Sequence, residues 1–172
     1  AIAANAMQGL TEPASCGVGG DLFAIVWDAK TKKLHGLNAS GRSPESLKLE
    51  YFKKLKLKQI PTHGPLSISV PGCVDGWIEL HEKFGKLPLK QILQPAIDYG
   101  EQGFPLTEII ARGMAGSVNA YKKYPGWSEV YTPGGRVPFK GMVFKNPALA
   151  RTYRMIAQGG RETFYKGAVA KQ

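Results

Sequence analysis

Apolar positions along this chain fall into short runs separated by glycine and proline, and the period of each run predicts its element. Residues 1–11 read as a small-residue helix, and residues 12–21, Glu-Pro-Ala-Ser-Cys-Gly-Val-Gly-Gly-Asp, form a glycine-rich turn. Residues 22–27 are apolar at every position, which predicts a strand covered on both faces. A polar turn follows, and residues 34–38 return as the partner strand of a hairpin with a four- or five-residue loop. Leu47, Tyr51 and Leu55 then recur at helical spacing.

Four further helices are expected. Pro71-Gly72 precedes the first, whose stripe is Val74, Trp77, Ile78, His81 and Phe84 before Gly85. The second starts near Pro88 and presents Leu89, Ile92, Leu93, Ala96 and Ile97 ahead of Gly100 and Gly103. The third runs from about Thr107 with Ile109, Ile110 and Met114. In the fourth, Asn146 caps, Pro147 opens, Leu149, Tyr153 and Ile156 are buried and Gly159 stops it. Between the last two, Tyr124-Pro-Gly-Trp127 and Thr132-Pro-Gly-Gly135 punctuate a stretch that reads as loop. Long irregular insertions often carry function, so Tyr121, Tyr124, Trp127 and Tyr131 are candidate pocket residues, with packing of the loop onto the core as the alternative.

The glycine turn is ordered helix, turn, strand. A phosphate-binding loop needs strand, glycines, helix, so that amide N–H groups at the helix start face the anion. A tight structural crossing is the reading that remains, with Asp21 bracing the turn through its backbone amides and Asp75 serving the first turn of its helix.

The three blocks that carry a resemblance are residues 12–21, residues 64–77 (Gly-Pro-Leu-Ser-Ile-Ser-Val-Pro-Gly-Cys-Val-Asp-Gly-Trp) with Leu80-His81 and Phe84-Gly85, and residues 146–152 (Asn-Pro-Ala-Leu-Ala-Arg-Thr) leading to Gly159-Gly160 and Phe164-Tyr165-Lys166-Gly167. In order and spacing they resemble the large-subunit portion of gamma-glutamyltranspeptidase, over nearly the whole chain. The resemblance implies an α+β fold: the helix-rich, large-subunit part of an N-terminal-nucleophile hydrolase αββα sandwich. Residues 1–172 are accordingly expected to be a single domain, a fragment of such a large subunit. The opening of the chain within a helix agrees with that expectation, and its exposed apolar surface is expected to be covered by a companion segment or a second copy.

The implied chemistry is a precursor that cuts itself, after which the new N-terminal threonine of a small subunit attacks a gamma-glutamyl or related amide bond. Ala1 offers no nucleophilic atom, so the partner implied is the small-subunit segment carrying that threonine, and no catalytic residue is expected in this chain. The competing reading is a noncatalytic binding or structural module that has lost transpeptidase chemistry.

One large-subunit residue of the family binds substrate: an arginine, in a run of arginine, acidic residue, any residue, alanine, proline, that holds the alpha-carboxylate of the glutamyl group. The planar guanidinium fork matches a carboxylate bidentately. The corresponding run here is Asn38-Ala-Ser-Gly-Arg-Ser-Pro44. Counted back from Pro44, the family arginine falls at Ser40, whereas Arg42 stands two positions nearer the proline. Two readings follow. Either loop geometry absorbs the shift and Arg42 meets the carboxylate, or the site belongs to a transpeptidase-like branch acting on another amide, such as that of a small oxo-acid. A surface ion-pair role for Arg42 is the bland alternative.

Composition narrows the partners. The 172 residues are 43% hydrophobic and 21% charged, enough for a sizeable core and not a disordered tail. No apolar run approaches the roughly 18 residues that cross a bilayer. The 23 basic and 13 acidic residues leave a formal charge of +10, which favours anionic partners or an acidic companion chain. Lys48, Lys53, Lys54, Lys56 and Lys58 read as a solvated helix face, and neither a nucleic-acid motif nor stacking platforms accompany them. Cys16 and Cys73 match no zinc spacing. They read as small packed residues, with a single bridge, or Cys16 activated by one of His35, His63 and His81, as the alternatives. The implied chemistry uses side chains and a terminal amine, so no metal or organic cofactor is expected. No targeting sequence is visible in residues 1–7, and the compartment, cytoplasmic or periplasmic to extracellular, is not indicated.

Overall fold

In the computed structural model, which describes residues 1–171, the elements run α1 (Ile2–Thr11), β1 (Leu22–Asp28), β2 (Lys33–Ala39), α2 (Leu49–Lys54), α3 (Cys73–Phe84), α4 (Leu89–Gln102), β3 (Phe104–Pro105), α5 (Glu108–Tyr121), α6 (Trp127–Tyr131), β4 (Val143–Phe144) and α7 (Pro147–Tyr165). This is the helix-rich α+β class expected. Two compact units make up the chain: residues 18–79, and residues 1–17 with the chain from Leu80 onward. The second of the two boundaries falls within α3.

In residues 18–79, β1 and β2 pair antiparallel from Leu22 opposite Ala39 to Asp28 opposite Lys33. The turn between them is the predicted four residues, with Lys32 in the left-handed region at φ 54°. Asp28 fixes it: its carboxylate accepts from the Lys30 amide at 3.0 Å and the Thr31 hydroxyl at 2.6 Å. These two donors, the hydroxyl first, hold the Asp28 carboxyl below its ordinary value.

Side chains alternate across a strand, so one hairpin face carries Leu22, Ala24 and Val26. α3 lies against this face at a glycine, since a Cβ on Gly76 would come within 2.7 Å of the Ala39 Cβ and 3.0 Å of Leu22. The other face differs from expectation. Phe23, Ile25, Trp27 and Leu34 stand 59–80% exposed, so among the described residues β1 is covered on one side only. The uniformly apolar run marks a strand with two hydrophobic faces, one of which these residues leave open.

α2 is a single short helix whose Leu49 and Tyr51 are exposed, as is Leu55 just beyond it. The lysines there are exposed too, as a solvated face requires.

In the other unit the long helices follow the sequence closely. α4 buries Leu93, Ala96 and Ile97, and Gly103 ends it at φ 92°. Pro95 lies inside α4. It removes one N–H, and it sits on the exposed side of the helix, away from the buried stripe. α7 begins as expected, the Asn146 side chain accepting from the Leu149 amide at 3.0 Å. It buries Ala150, Tyr153 and Ile156. The predicted stop at Gly159 is instead a break one residue later, Gly160 leaving helical geometry at φ 54°, ψ −140° while the helix continues to Tyr165. The Tyr153 hydroxyl donates to the Ala6 carbonyl at 2.8 Å, which ties α7 to α1.

α5 departs from its predicted stripe. Ile110, Ala111 and Met114 turn inward while Ile109 is 82% exposed. At about 100° per residue, Ile109 lies about 200° around the helix from Ala111, so both cannot share one face. The stretch read as loop has structure of its own: α6, a turn at Pro133–Gly135 and β4, which pairs with β3.

Candidate functional site

Arg42 follows β2 in a stretch held by three crossings within residues 18–79. The Gly41 amide donates to Asp21 Oδ1 at 2.8 Å, and the Ser69 hydroxyl reaches the same oxygen at a longer 3.4 Å. The Val70 amide donates to the Arg42 carbonyl at 2.8 Å, and the Gly72 and Cys73 amides both donate to the Gly20 carbonyl, at 3.1 and 3.0 Å. Chain segments here meet backbone to backbone. A Cβ on Gly41 would collide with the Val70 carbonyl, and one on Gly72 with the Ala39 carbonyl, so glycine is required at both by close approach.

The result is an arginine whose backbone is fixed on both sides and whose side chain is exposed. Among the described residues its guanidinium makes no hydrogen bond or ion pair, whereas Arg154 and Arg161 each meet a glutamate, Glu101 at 2.8 Å and Glu82 at 3.1 Å. The ion-pair reading of Arg42 is therefore not what these residues form. Its five donors are available for a planar anion.

Asp21 is the participant that sequence reasoning missed. It does not brace its own turn but bonds across to Gly41, 20 positions away. The available signal was the pairing of an aspartate at the entry to β1 with a glycine directly before an arginine at the exit of β2. Asp75 lies in the first turn of α3.

The aromatic candidates do come together, in the other unit. Tyr121 stacks on Trp127 with centroids 6.2 Å apart, Trp127 meets Tyr131 at 5.3 Å, and Tyr131 stacks on Phe144 at 6.0 Å with an interplanar angle of 11°. Tyr124 joins the ladder at Tyr121, 6.2 Å away. Tyr121, Trp127 and Tyr131, with Met114 and Ser117, line a recess of about 300 Å³. Burial pushes the Tyr131 phenol above its ordinary value, so it stays neutral. These rings spend their faces on one another. Phe144 is buried and Tyr131 packs against the cluster of Leu10, Leu106, Ala111 and Met114, so the ladder fastens its loop to the core.

Both cysteines are free thiols, which removes the bridge. The Cys16 thiol faces the Gln8 side chain at 4.0 Å rather than a histidine, which removes the dyad. The His81 Nε2 lies 2.7 Å from the Leu87 carbonyl. Among the described residues, no three His, Cys, Asp or Glu side chains gather as for a metal, and no helix is long and apolar enough to cross a membrane.

The gamma-glutamyltranspeptidase family model matches residues 1–172. The chain is 32% identical to the glutathione hydrolase-like YwrD proenzyme of Bacillus subtilis, over 100% of this chain and 33% of that protein. It is 33% identical to the oxamate amidohydrolase proenzyme of Klebsiella pneumoniae, over 99% of the chain and 33% of the relative. The crystal structure of cephalosporin acylase from Bacillus halodurans superposes with a TM-score of 0.93 at 39% identity, over 99% of this chain and 33% of that one.

The fold is thus the helix-rich portion of an N-terminal-nucleophile hydrolase. The chain belongs to the gamma-glutamyltranspeptidase family. It spans about a third of the length of these relatives.

Proposed function

We propose that this chain is the carboxylate-recognition segment of an amidohydrolase or transpeptidase, with Arg42 as its substrate-binding residue. The observation that carries the reading is the unengaged Arg42 guanidinium on a backbone held by the Gly41 amide and the Arg42 carbonyl. Glutathione, oxamate and a cephalosporin, named in the relatives, are all amides that bear a free carboxylate. An arginine two positions from the family's usual place serves that shared group without committing the site to a gamma-glutamyl chain. The substrate class is therefore an amide that carries a free carboxylate, gamma-glutamyl compounds among them.

The nucleophile is a threonine freed by self-cleavage in a partner small-subunit segment. Its hydroxyl attacks the amide carbonyl while the terminal amine takes the hydroxyl proton and passes it to the departing amine. An ester forms, and water or an acceptor amine releases the acyl group. Both compact units act as parts of one large-subunit segment, and the companion segment covers the open face of Phe23, Ile25, Trp27 and Leu34.

Two measurements test this on the full-length protein. Expression should yield two subunits, the smaller beginning with threonine; an intact product without such a segment would sink the enzyme reading in favour of a noncatalytic module. Arg42→Ala should lower kcat/KM by about 10²-fold or more for whichever of gamma-glutamyl anilide and oxamate the protein turns over, the loss of a charge-assisted contact to carboxylate. Unchanged kinetics would remove Arg42 from the site.

A further inference from the structure

We infer that Asp21 is a positioning residue for Arg42, an inference that rests on the reading of Arg42 as the carboxylate-binding group. Gripping a ligand orders an arginine's loop backbone as well as its side chain, so the total cost is smaller when the backbone is already fixed. Here the fixing has two sides. On the C-terminal side the Val70 amide holds the Arg42 carbonyl at 2.8 Å, a bond between main-chain groups that no side-chain substitution removes directly. On the N-terminal side the Gly41 amide has a side-chain acceptor, Asp21 Oδ1, at 2.8 Å. Asp21 is thus the one tie of the two that a side-chain substitution removes directly.

Charge makes the tie effective in water. A hydrogen bond from an amide N–H to a carboxylate is about twice as strong as one to a neutral oxygen, and this one lies at an exposed loop where a neutral acceptor competes poorly with solvent. The same Oδ1 also faces the Ser69 hydroxyl at 3.4 Å, so one carboxylate joins the entry of β1, the exit of β2 and the segment leading into α3. The close approach of Gly41 to the Val70 carbonyl leaves no space for the Arg42 loop to settle inward if the Asp21 bond is cut. It can only loosen outward. Asp21 touches Gly41 and Ser69, not Arg42's side chain, and no contact to substrate is needed for its effect.

A positioning role makes a sharp kinetic demand. Asp21 should matter only through Arg42. In the full-length protein, with whichever of gamma-glutamyl anilide and oxamate it turns over, Asp21→Ala should raise KM about tenfold with kcat within about twofold, because the carboxylate grip is ground-state binding away from the reacting carbonyl. Asp21→Asn keeps an acceptor but loses the charge, and should raise KM about two- to threefold. In an Arg42→Ala background both substitutions at Asp21 should change KM by less than about twofold, the non-additivity expected of residues acting as one unit.

Equal losses in the two backgrounds would overturn the inference, making Asp21 a general brace of the fold, and so would an unchanged KM in Asp21→Ala. A silent Arg42→Ala is a different result: it removes the carboxylate reading itself, and the positioning role falls with it. If Asp21→Ala does not fold, Asp21→Asn in the two backgrounds decides the same question at its smaller amplitude.

Discussion

The two units of this chain use hydrophobic residues in opposite ways. The unit of α1, α4, α5 and α7 holds a closed core in which Leu10, Leu93, Ile97, Tyr153 and Ile156 are each no more than 1% exposed, with Ile109 and Phe139 left on its surface. The hairpin unit does so on one face only, and Phe23, Ile25 and Trp27 project from the other at 68%, 80% and 59% exposure. The free arginine stands in the second unit and the ring ladder in the first. A buried helical core is thus paired in sequence with a segment that holds an unengaged arginine and an apolar sheet face left open among the described residues.

The largest expected effect tests that contrast directly. Ile156→Ala in the chain as given should cost about 2–5 kcal/mol, the transfer loss plus an unfilled cavity. Ile25→Ala in the same chain should stay within about 0.5 kcal/mol, since little area is removed from water. Urea midpoints with unchanged slopes are the measurement. Similar costs at the two positions would break the comparison. If the companion segment covers the hairpin in the full-length protein, Ile25→Ala should become costly there while Ile156→Ala keeps its value.

A smaller effect sharpens the helical side. Gly9 in α1 has a Cβ position 2.6 Å from the Tyr153 hydroxyl oxygen, and that hydroxyl is bonded to the Ala6 carbonyl. Gly9→Ala improves helix propensity by up to about 1 kcal/mol, yet it must push the buried phenol off its acceptor. The net should be a loss of about 1–3 kcal/mol, the range of overpacked cores. In a Tyr153→Phe background the penalty should shrink, and a thermal melt of the four variants reads the coupling. A stabilising Gly9→Ala would show that α1 and α7 have slack between them.

The long helices were legible because their signals are local and redundant. For α7, the Asn146 cap, Pro147, the Tyr153 and Ile156 stripe and the glycine break all lie within 15 residues of each other and agree. For α4, the stripe is strong enough to survive Pro95. The misses have a different origin. β3 and β4 are two residues each, and they exist because Phe104 pairs with Phe144 across 40 positions; no local pattern encodes that. Ile109 was assigned to a face that Ala111, the smaller residue, occupies, since periodicity cannot rank two adjacent apolar phases. Residues 22–27 gave the strand, but a sequence cannot say which stretch of chain covers each face.

The site was half legible for the same reason. Arg42 stood out because the motif around Pro44 places an arginine after a strand, and its freedom from ion pairs is a property of tertiary structure. Asp21 looked like part of its own turn. Its partner lies 20 residues on, across the hairpin, and only the β1–β2 register brings the two together.

The hairpin's own turn offers the finest probe of how far that unit is organised without a cover. Asp28 accepts from Thr31 and Lys30, and these donors favour its charged form, lowering its pKa from the ordinary 3.8. A depressed folded-state value means the contribution to stability is complete above the unfolded value and is lost as pH falls through the folded one. The Asp28 carboxyl, followed by NMR, should therefore titrate with a midpoint below 3.8, and Thr31→Ala should move it back up toward that value. Asp28→Asn should flatten the acid limb of the stability profile on the same side, and leave the neutral region nearly unchanged. A midpoint at or above 3.8 would mean that the turn is not formed in solution, and that this chain alone does not close the hairpin.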